Sequence, residues 1–399
     1  MTACTIASFN VKNLIGPDQE YYRFQSYTPE EYAWKEDWLA DQIATLNANV
    51  IGFQEIFEED ALRSTVARAD RLGRASNAQT VPGPDKRYRK RAIFQHLAYH
   101  DYADAALAFA PNLHDTGKSG ARRPGLAILS RLGFAEDPQI IQDLGTPLDI
   151  PFGTLGGEDG GFFRIRALSR PILQARVPMG GHIVSVFNCH LKSKLGEYPR
   201  PEGAEFAPEA DLTHYDPLGR AMGAARAAMR RMAEAWVLRK AVVAELKQNR
   251  PVIVLGDFND TETAVSSEIV SGEAPFKNYG WMLRHDAQHR NDRYTETEAR
   301  QITEDIEALR LHAAEKLFVR KSLRDMIFTS AFGGVYDSID QIYLSRHFMP
   351  YWPAHVGDMT YFSVLNDHLT DGSHAEAPYN KLASDHGQIM ATLKMRDPT

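Results

Sequence analysis

Apolar residues fall along the chain in short blocks, and the stretches between them change to a helical period. The blocks read TIASFNV (5–11), VIGFQEI (50–56), GLAILS (125–130), HIVSVFNCHL (182–191), VIVLGDFND (252–260), SIDQIYLS (338–345) and SDHGQIMATL (384–393). Each is rich in Val, Ile or Phe and short enough for a strand. VIVLG is apolar throughout, which suits a strand covered on both faces. Thr28, Pro29 and Glu31 supply an N-cap, a first-turn proline and a capping box, and Leu39, Ile43 and Leu46 continue that helix on one face. A second helix is predicted from Leu218 to Lys247. There Met222, Met229, Trp236 and Val243 recur every seven residues beside Ala225, Met232 and Leu246, and the stripe reads as core packing. Pro251 marks the step into the next strand. A third helix is predicted over 296–318 on Ile302, Ile306, Leu309, Ala313 and Leu317.

Strands and helices alternate without internal repeats, and no low-complexity linker divides the 399 residues. The expectation is one α/β domain over 1–399. Surface insertions are predicted near 192–213, rich in Pro, Gly and Glu, and near 284–324, which is highly charged. Gly153–Gly161 reads as a glycine-rich turn or mobile loop. With 43% hydrophobic and 24% charged residues, the composition excludes collagen-like, coiled-coil and largely disordered chains. No apolar run is long enough to cross a bilayer, so no membrane partner is expected. The two cysteines, Cys4 and Cys189, exclude a disulfide framework and a cysteine-based zinc cluster. No basic segment followed by an apolar stretch opens the chain, and the expected setting is the reducing cytoplasm. A net charge of -7 argues against a protein that coats nucleic acid, but leaves room for an enzyme with a local basic groove or a carboxylate metal site.

The chemistry sits at the strand ends. In order they offer Asn10, Glu55, His190, Asp257 with Asn259, Asp340, and Asp385 with His386. Any one of these alone reads as a turn residue or cap. Together they are the groups that hard divalent cations and phosphate esters require: carboxylate and amide oxygens for Mg²⁺ or Mn²⁺, and imidazoles for protons. Side-chain alternation would place Asp257 and Asn259 on one side of an extended segment.

These residues lie in SFNVKNL, GFQEI, GLAILSR, LSRPIL, FNCHLKS, LGDFND, IDQIYLS and SDHGQI, which follow one another between residues 5 and 390. In these motifs and their order the chain resembles the endonuclease/exonuclease/phosphatase superfamily, metal-dependent phosphodiesterases that include DNase I-like nucleases. The resemblance implies a four-layer α/β sandwich: two mixed β-sheets packed face to face and flanked by helices. It implies a Mg²⁺ or Mn²⁺ cofactor held by Asn10, Glu55 and Asp385, with Glu55 the main ligand. It further implies that Asp257 orients or deprotonates the attacking water and that Asn259 positions phosphate and nucleophile. His386 would be the catalytic histidine, its ring held by Asp340, and His190 a proton donor or phosphate contact. Arg170 and Lys192 would meet the substrate phosphate. The reaction would be single-step hydrolysis without a covalent enzyme intermediate.

A nuclease acting on DNA or RNA is the first reading of the substrate. A small-molecule or lipid phosphodiesterase or phosphatase is the second, and a non-catalytic binding module the third. No obligate protein partner is inferred. One departure from the pattern stands out. DNase-like members carry an acidic partner for the second histidine just before the GLAILS strand, whereas this chain reads Ala121-Arg122-Arg123-Pro124-Gly125. Asp115 is the nearest carboxylate in sequence. The basic run Lys86–Arg91 and the arginines Arg122 and Arg123 are further candidates for phosphate contact. The pairs His96/His100 and His285/His289 have helical spacing for zinc but lack the glutamate of HExxH. Cys189 should face away from the site, by alternation with His190.

Overall fold

The apolar blocks pair into two mixed six-stranded sheets. The computed structural model describes residues 2–22, 25–79, 98–151, 161–198, 207, 211–272, 294–319, 327–371, 380 and 382–398. In chain order the first sheet takes β1 (Thr2–Leu14), β2 (Val50–Ile56), β3 (Ala106–Ala110), β4 (Gly125–Ser130), β13 (Gly357–Leu365) and β14 (Gln388–Met395), arranged β13-β14-β1-β2-β4-β3. The second takes β5 (Gln139–Pro151), β6 (Phe162–Met179), β7 (His182–His190), β8 (Val252–Asp257), β9 (Leu311–Ala313) and β12 (Asp340–Ser345), arranged β5-β6-β7-β8-β12-β9. A separate hairpin joins β10 (Ser330–Phe332) to β11 (Val335–Asp337). Each large sheet holds one parallel pair, β1 with β2 and β7 with β8. Parallel neighbours end on the same side, so both pairs deliver their C-terminal residues to one edge of the sandwich.

The sheets face each other across one apolar layer. Ile6, Val50, Leu126 and Ile128 of the first meet Leu173, Val186, Ile253 and Leu255 of the second. A polar bridge crosses this layer. Gln54 Nε2 donates to Asn188 Oδ1 at 2.7 Å, and Asn188 Nδ2 donates to the Phe53 and Ala127 carbonyls. Every member is buried and bonded, so the bridge fixes how one sheet sits over the other. Gly52 makes the approach possible: a Cβ there would lie 2.1 Å from Leu255 Cδ1.

Helices cover the outer faces. α1 (Pro29–Leu46) and α2 (Glu59–Gln79) pack on the first sheet through Leu39, Ile43, Leu62 and Val66. The expected Thr28–Glu31 capping box is present on α1. α3 (Pro217–Lys247) covers the second sheet through Ala235, Leu238, Val242 and Leu246, with α4 (Val265–Ser271) beside it. Among the described residues no helix is long and apolar enough to cross a membrane.

Two sequence expectations are corrected. The Met222/Met229/Trp236/Val243 stripe is not the buried face of α3: Trp236 is 45% exposed, with the Lys240 ammonium 4.2 Å above its ring. The inward face instead carries Gly223, Arg226, Ala227, Arg231, Glu234 and Leu238. Glu234 and Arg231 on that face bond to β6 and to the segments after β7 and β8, which a hydrophobic pattern does not register. The third helix is also not continuous over 296–318. It ends as α5 (Glu296–Leu309), the chain turns extended at Arg310, and β9 pairs with β12 before α6 (Ala314–Val319) begins. Leu311 and Ala313 are buried as strand residues, so part of the presumed insertion is an edge of the sheet. Residues 86–91, His96, His285 and His289 lie outside the described residues, as does nearly all of Gly153–Gly161.

Candidate active site

Strand register sets the centre of the site. His190 at the end of β7 lies opposite Asp257 at the end of β8, and Asp257 lies opposite Asp340 at the start of β12. The close approach of β7 to β8 depends on Gly256 (φ +142°), where a Cβ would fall 1.9 Å from the Cys189 carbonyl oxygen. His190 Nε2 stands 3.2 Å from Asp257 Oδ2, and His386 Nδ1 stands 2.9 Å from Asp340 Oδ2. The free edge of His386 turns back toward Asp257, with Nε2 at 3.8 Å from Oδ2. Cys189 points the other way, into the layer beneath α3.

The first sheet contributes from the facing side. Asn10 is fully buried, and its Nδ2 reaches Glu55 Oε1 at 3.2 Å, Asp257 Oδ2 at 3.1 Å and His386 Nε2 at 3.4 Å. It is the point at which the two sheets meet in the site. Asn10 Oδ1 accepts from the Lys12 N–H at 3.0 Å. Glu55 sits at a bulge between β2 and β4 with φ +65°, a conformation that costs a non-glycine residue energy and aims the carboxylate out of the sheet. Asp385 is half exposed and lies 3.8 Å from Lys12 Nζ. Thus Asn10, Glu55, His190, Asp257, Asp340, His386 and Asp385 are all linked by direct contacts, the last through Lys12.

Asn259 is near but not in the expected way. β8 ends at Asp257, and Asn259 adopts φ +53° in a left-handed turn. Its N–H donates to Asp257 Oδ1 at 2.8 Å, and its Nδ2 donates to the Leu191 carbonyl at 3.0 Å. Alternation along a strand therefore does not reach Asn259; the turn that asparagine tolerates takes over. Arg170 Nη1 lies 3.4 Å from the same Leu191 carbonyl. Lys192 curls its ammonium onto the Leu195 carbonyl at 2.8 Å and onto Ser193. Arg122 pairs with Glu58. Asp115 is not the partner of His190: its Oδ1 accepts the Gly117 N–H, and His190 Nδ1 is buried without a hydrogen bond.

Burial sets the protonation chemistry. It raises the Asp257 carboxyl to about 7, with Asp340 adding to the rise and His386 opposing it. It holds His190 well below the usual histidine value, so that ring is neutral. Burial also opposes a charge on His386, but the Asp340 and Asp257 carboxylates outweigh it and raise the imidazole well above its ordinary value. Burial pushes the Tyr22 hydroxyl up to about 12, with Glu55 adding to the effect and Arg170 and Arg123 opposing it. That balance gathers two cations and Glu55 around one ring.

Three positioning residues carry no signal in the sequence. Glu234, buried on α3, accepts the Ser169 N–H at 2.9 Å and the Lys192 N–H at 2.8 Å, and so anchors the segments that carry Arg170 and Lys192. Lys35 is fully buried and donates to the Val11 and Leu382 carbonyls at 3.0 and 3.1 Å, joining the turn after Asn10 to the approach to Asp385. Burial lowers its ammonium to about 7. Thr329 Oγ1 accepts the N–H groups of Ile339 and Asp340, each at 3.0 Å.

The donors fit a hard cation. Glu55 uses one bond on each oxygen, to Asn10 Nδ2 and to the Asn13 N–H, which leaves lone pairs on both. Asn13 Oδ1 on the same turn is buried with no hydrogen-bond partner. Carboxylate and amide oxygens of this kind suit Mg²⁺ or Mn²⁺ rather than a soft metal. Asp257, Asp340 and His386 also bring ligand-type atoms within 4.8 Å of one another, but the 2.9 Å contact in that group is a hydrogen bond that orients an imidazole.

Comparison with known proteins decides the family. The model of the Endonuclease/Exonuclease/phosphatase family matches residues 7–386. The chain belongs to that family. Its name describes enzymes that hydrolyse phosphate esters, and the two mixed sheets with outer helices are the fold expected for it. Similar solved structures include a family member from Leptotrichia buccalis (13% identity, 98% of this chain and 100% of that one, TM-score 0.46). The catalytic domain of human Nocturnin with bound sulfate is similar at 11% identity over 99% and 95%, TM-score 0.48. Truncated Caenorhabditis elegans TDP2 is similar at 15% over 98% and 97%, TM-score 0.43. No curated protein matches the chain in sequence.

Proposed function

We propose that this protein is a divalent-metal-dependent phosphodiesterase that cleaves its substrate with water, and that the substrate is a nucleic-acid strand. The observation that supports this best is the convergence on Asp257 Oδ2 of three groups from distant parts of the chain: Asn10 Nδ2 at 3.1 Å, His190 Nε2 at 3.2 Å and His386 Nε2 at 3.8 Å. A buried carboxyl titrating at about 7 is matched to taking a proton from water near neutral pH. Asp257 is therefore assigned the nucleophilic water. His386, kept charged by Asp340, is assigned a phosphate oxygen or the departing oxygen, to which it supplies a hydrogen bond or a proton. Neutral His190 holds Asp257 in place through Nε2 and excludes bulk water from beneath it. Glu55, with Asp385 and the amide oxygens of Asn10 and Asn13, would hold Mg²⁺ or Mn²⁺, which neutralises charge on the phosphate when bound. Arg170 and Asn259 border the phosphate position, and Lys192 would join them by leaving its loop carbonyls.

A second reading, a small-molecule or lipid phosphoester, is favoured by the net charge of -7, which repels a polyanion. A panel separates the two. Purified protein with Mg²⁺ or Mn²⁺ is offered plasmid DNA, single-stranded DNA, RNA, bis(p-nitrophenyl) phosphate, a phosphomonoester and phospholipid headgroup esters, with a chelator control. Cleavage of a nucleic acid is expected, with a loss of about three orders of magnitude in Asp257→Ala. Silence across the panel would refute the hydrolase reading, and cleavage confined to lipid or small esters would replace the nuclease by the second reading.

A further inference from the structure

The turn after Asn10 carries a cation that the reaction described above does not use. Lys12 (φ +53°) and Asn13 (φ +57°) are consecutive left-handed residues, placed where β1 and β2 lose register between Asn10 and Leu14. Two such residues in a row cost energy, so the surrounding structure has to hold them there. It does so from three sides. Ser384 Oγ donates to the Asn10 carbonyl at 2.6 Å, Lys35 Nζ to the Val11 carbonyl at 3.0 Å, and the Tyr27 hydroxyl to the Lys12 carbonyl at 3.4 Å. Neighbouring residues of this turn then meet the two carboxylates assigned to the metal. The Asn13 N–H donates to Glu55 Oε2 at 3.0 Å, and Lys12 Nζ stands 3.8 Å from Asp385 Oδ2.

The Lys12–Asp385 pair is not an ordinary surface contact. The Lys12 side chain is 16% exposed and that of Asp385 is 52% exposed, so the ammonium is the inner member. At 3.8 Å the contact is too long for a hydrogen bond, and it leaves the lone pairs of Oδ2 unspent on Lys12. The same field reaches α1: burial lowers the Lys35 ammonium, Lys12 adds to the fall, and Glu55 and Asp385 oppose it. Two lysines and two carboxylates thus share one space. Formally, Glu55, Asp385 and Lys12 together carry a single negative charge, which one divalent ion already turns positive. A second divalent ion would stand against both the first ion and the ammonium, and repulsion between close cations is strong where water is excluded.

We propose that Lys12 takes the place of a second metal ion: the site holds one divalent cation, led by Glu55, and the Lys12 ammonium supplies the other positive charge at Asp385. Two-metal phosphoesterase sites set their ions roughly 3.5–4 Å apart to stabilise both the attacking and the leaving oxygen. Here one of the two cations belongs to the chain. The inference rests on the metal-dependent reading, gives it an ion count and names the residue that sets that count.

Titration of the full chain with Mn²⁺ in the absence of substrate tests it, with the free ion followed by electron paramagnetic resonance. The wild type is expected to bind one Mn²⁺ per chain. Lys12→Met keeps the length of the side chain without its charge; it is expected to bind a second Mn²⁺ and to hold the first about tenfold or more tighter. Lys12→Arg should keep the count at one, and adding Asp385→Asn to Lys12→Met should remove the second ion. Circular dichroism checks the fold of each, and Lys12→Gln, read in the same way, replaces Lys12→Met if methionine is not accepted in the left-handed turn. Two ions in the wild type, or a neutral variant with one ion at unchanged affinity, would overturn the role of Lys12 and leave the metal-dependent reading in place. A wild type that neither binds Mn²⁺ nor hydrolyses bis(p-nitrophenyl) phosphate would bring down both.

Discussion

Asp340→Asn isolates the charge that holds His386. The exchange keeps the side chain's shape and leaves the Thr329 bond to the residue 340 N–H intact. What it removes is one negative charge, 1% exposed, whose Oδ2 lies 2.9 Å from His386 Nδ1. A hydrogen bond between a charged pair contributes about 1.5–3 kcal/mol. At 1.36 kcal/mol per pH unit, the His386 value should fall by about one to two pH units. If His386 acts protonated, the alkaline limb of the pH–rate profile moves to lower pH by that amount, and the maximum rate falls about 10²–10⁴-fold.

Stability supplies an independent check with a definite sign. His386 is raised in the folded state, so its pairing contributes fully below the unfolded histidine value of about 6.5 and is lost as pH rises through the folded value. Asp340→Asn should therefore destabilise by about 1.5–3 kcal/mol at pH 6 and by less at pH 10, measured by urea denaturation at both. A variant with an unmoved alkaline limb, or one whose stability deficit grows with pH, would refute the assignment of Asp340 as the group that keeps His386 charged.

Asp257→Asn tests a second raised group, one whose charge is costly rather than paired: a carboxyl raised to about 7 likewise makes the folded state less stable as pH climbs from about 4 through 7. With chelator present, the variant's melting temperature relative to wild type should rise between pH 5 and pH 8 while activity is lost; a flat or falling difference would refute the buried-carboxylate cost. Glu234→Gln keeps one acceptor for the Ser169 or Lys192 N–H but not both, and is expected to raise KM about tenfold with a smaller change in kcat, whereas equal loss in both would place Glu234 elsewhere in the mechanism. Gly256→Ala forces a Cβ against the Cys189 carbonyl and should cost about 1–3 kcal/mol or more of stability, read as a lower urea midpoint at constant slope.

The successes and failures of the sequence reading have separate causes. Asn10, Glu55, His190, Asp257, Asp340 and His386 were legible because each ends or begins a short apolar block, and a strand end has few ways to point its last polar residue. Inside α3 the same logic fails. Met222, Met229 and Trp236 are more apolar than Arg226, Arg231 and Glu234, yet the helix turns the charged face inward. The reason lies outside the helix: Glu234 receives the Ser169 and Lys192 N–H groups, and Arg231 holds Asp260 at 2.6 Å and the Lys192 carbonyl at 3.1 Å. A buried charge is tolerated where it is bonded this completely, and the bonds come from a neighbouring strand and from loops that no helical period records. Asn259 departs from the strand pattern for a related reason, since its left-handed turn lets its amide reach the Leu191 carbonyl that also faces Arg170. Both departures act on one short segment, residues 191–192 beside Arg170. The sequence was therefore hardest to read where buried polar side chains hold the segment at residues 191–192, and a family member with another substrate should differ first at positions such as Glu234 and Arg231 rather than at Asp257 or His386.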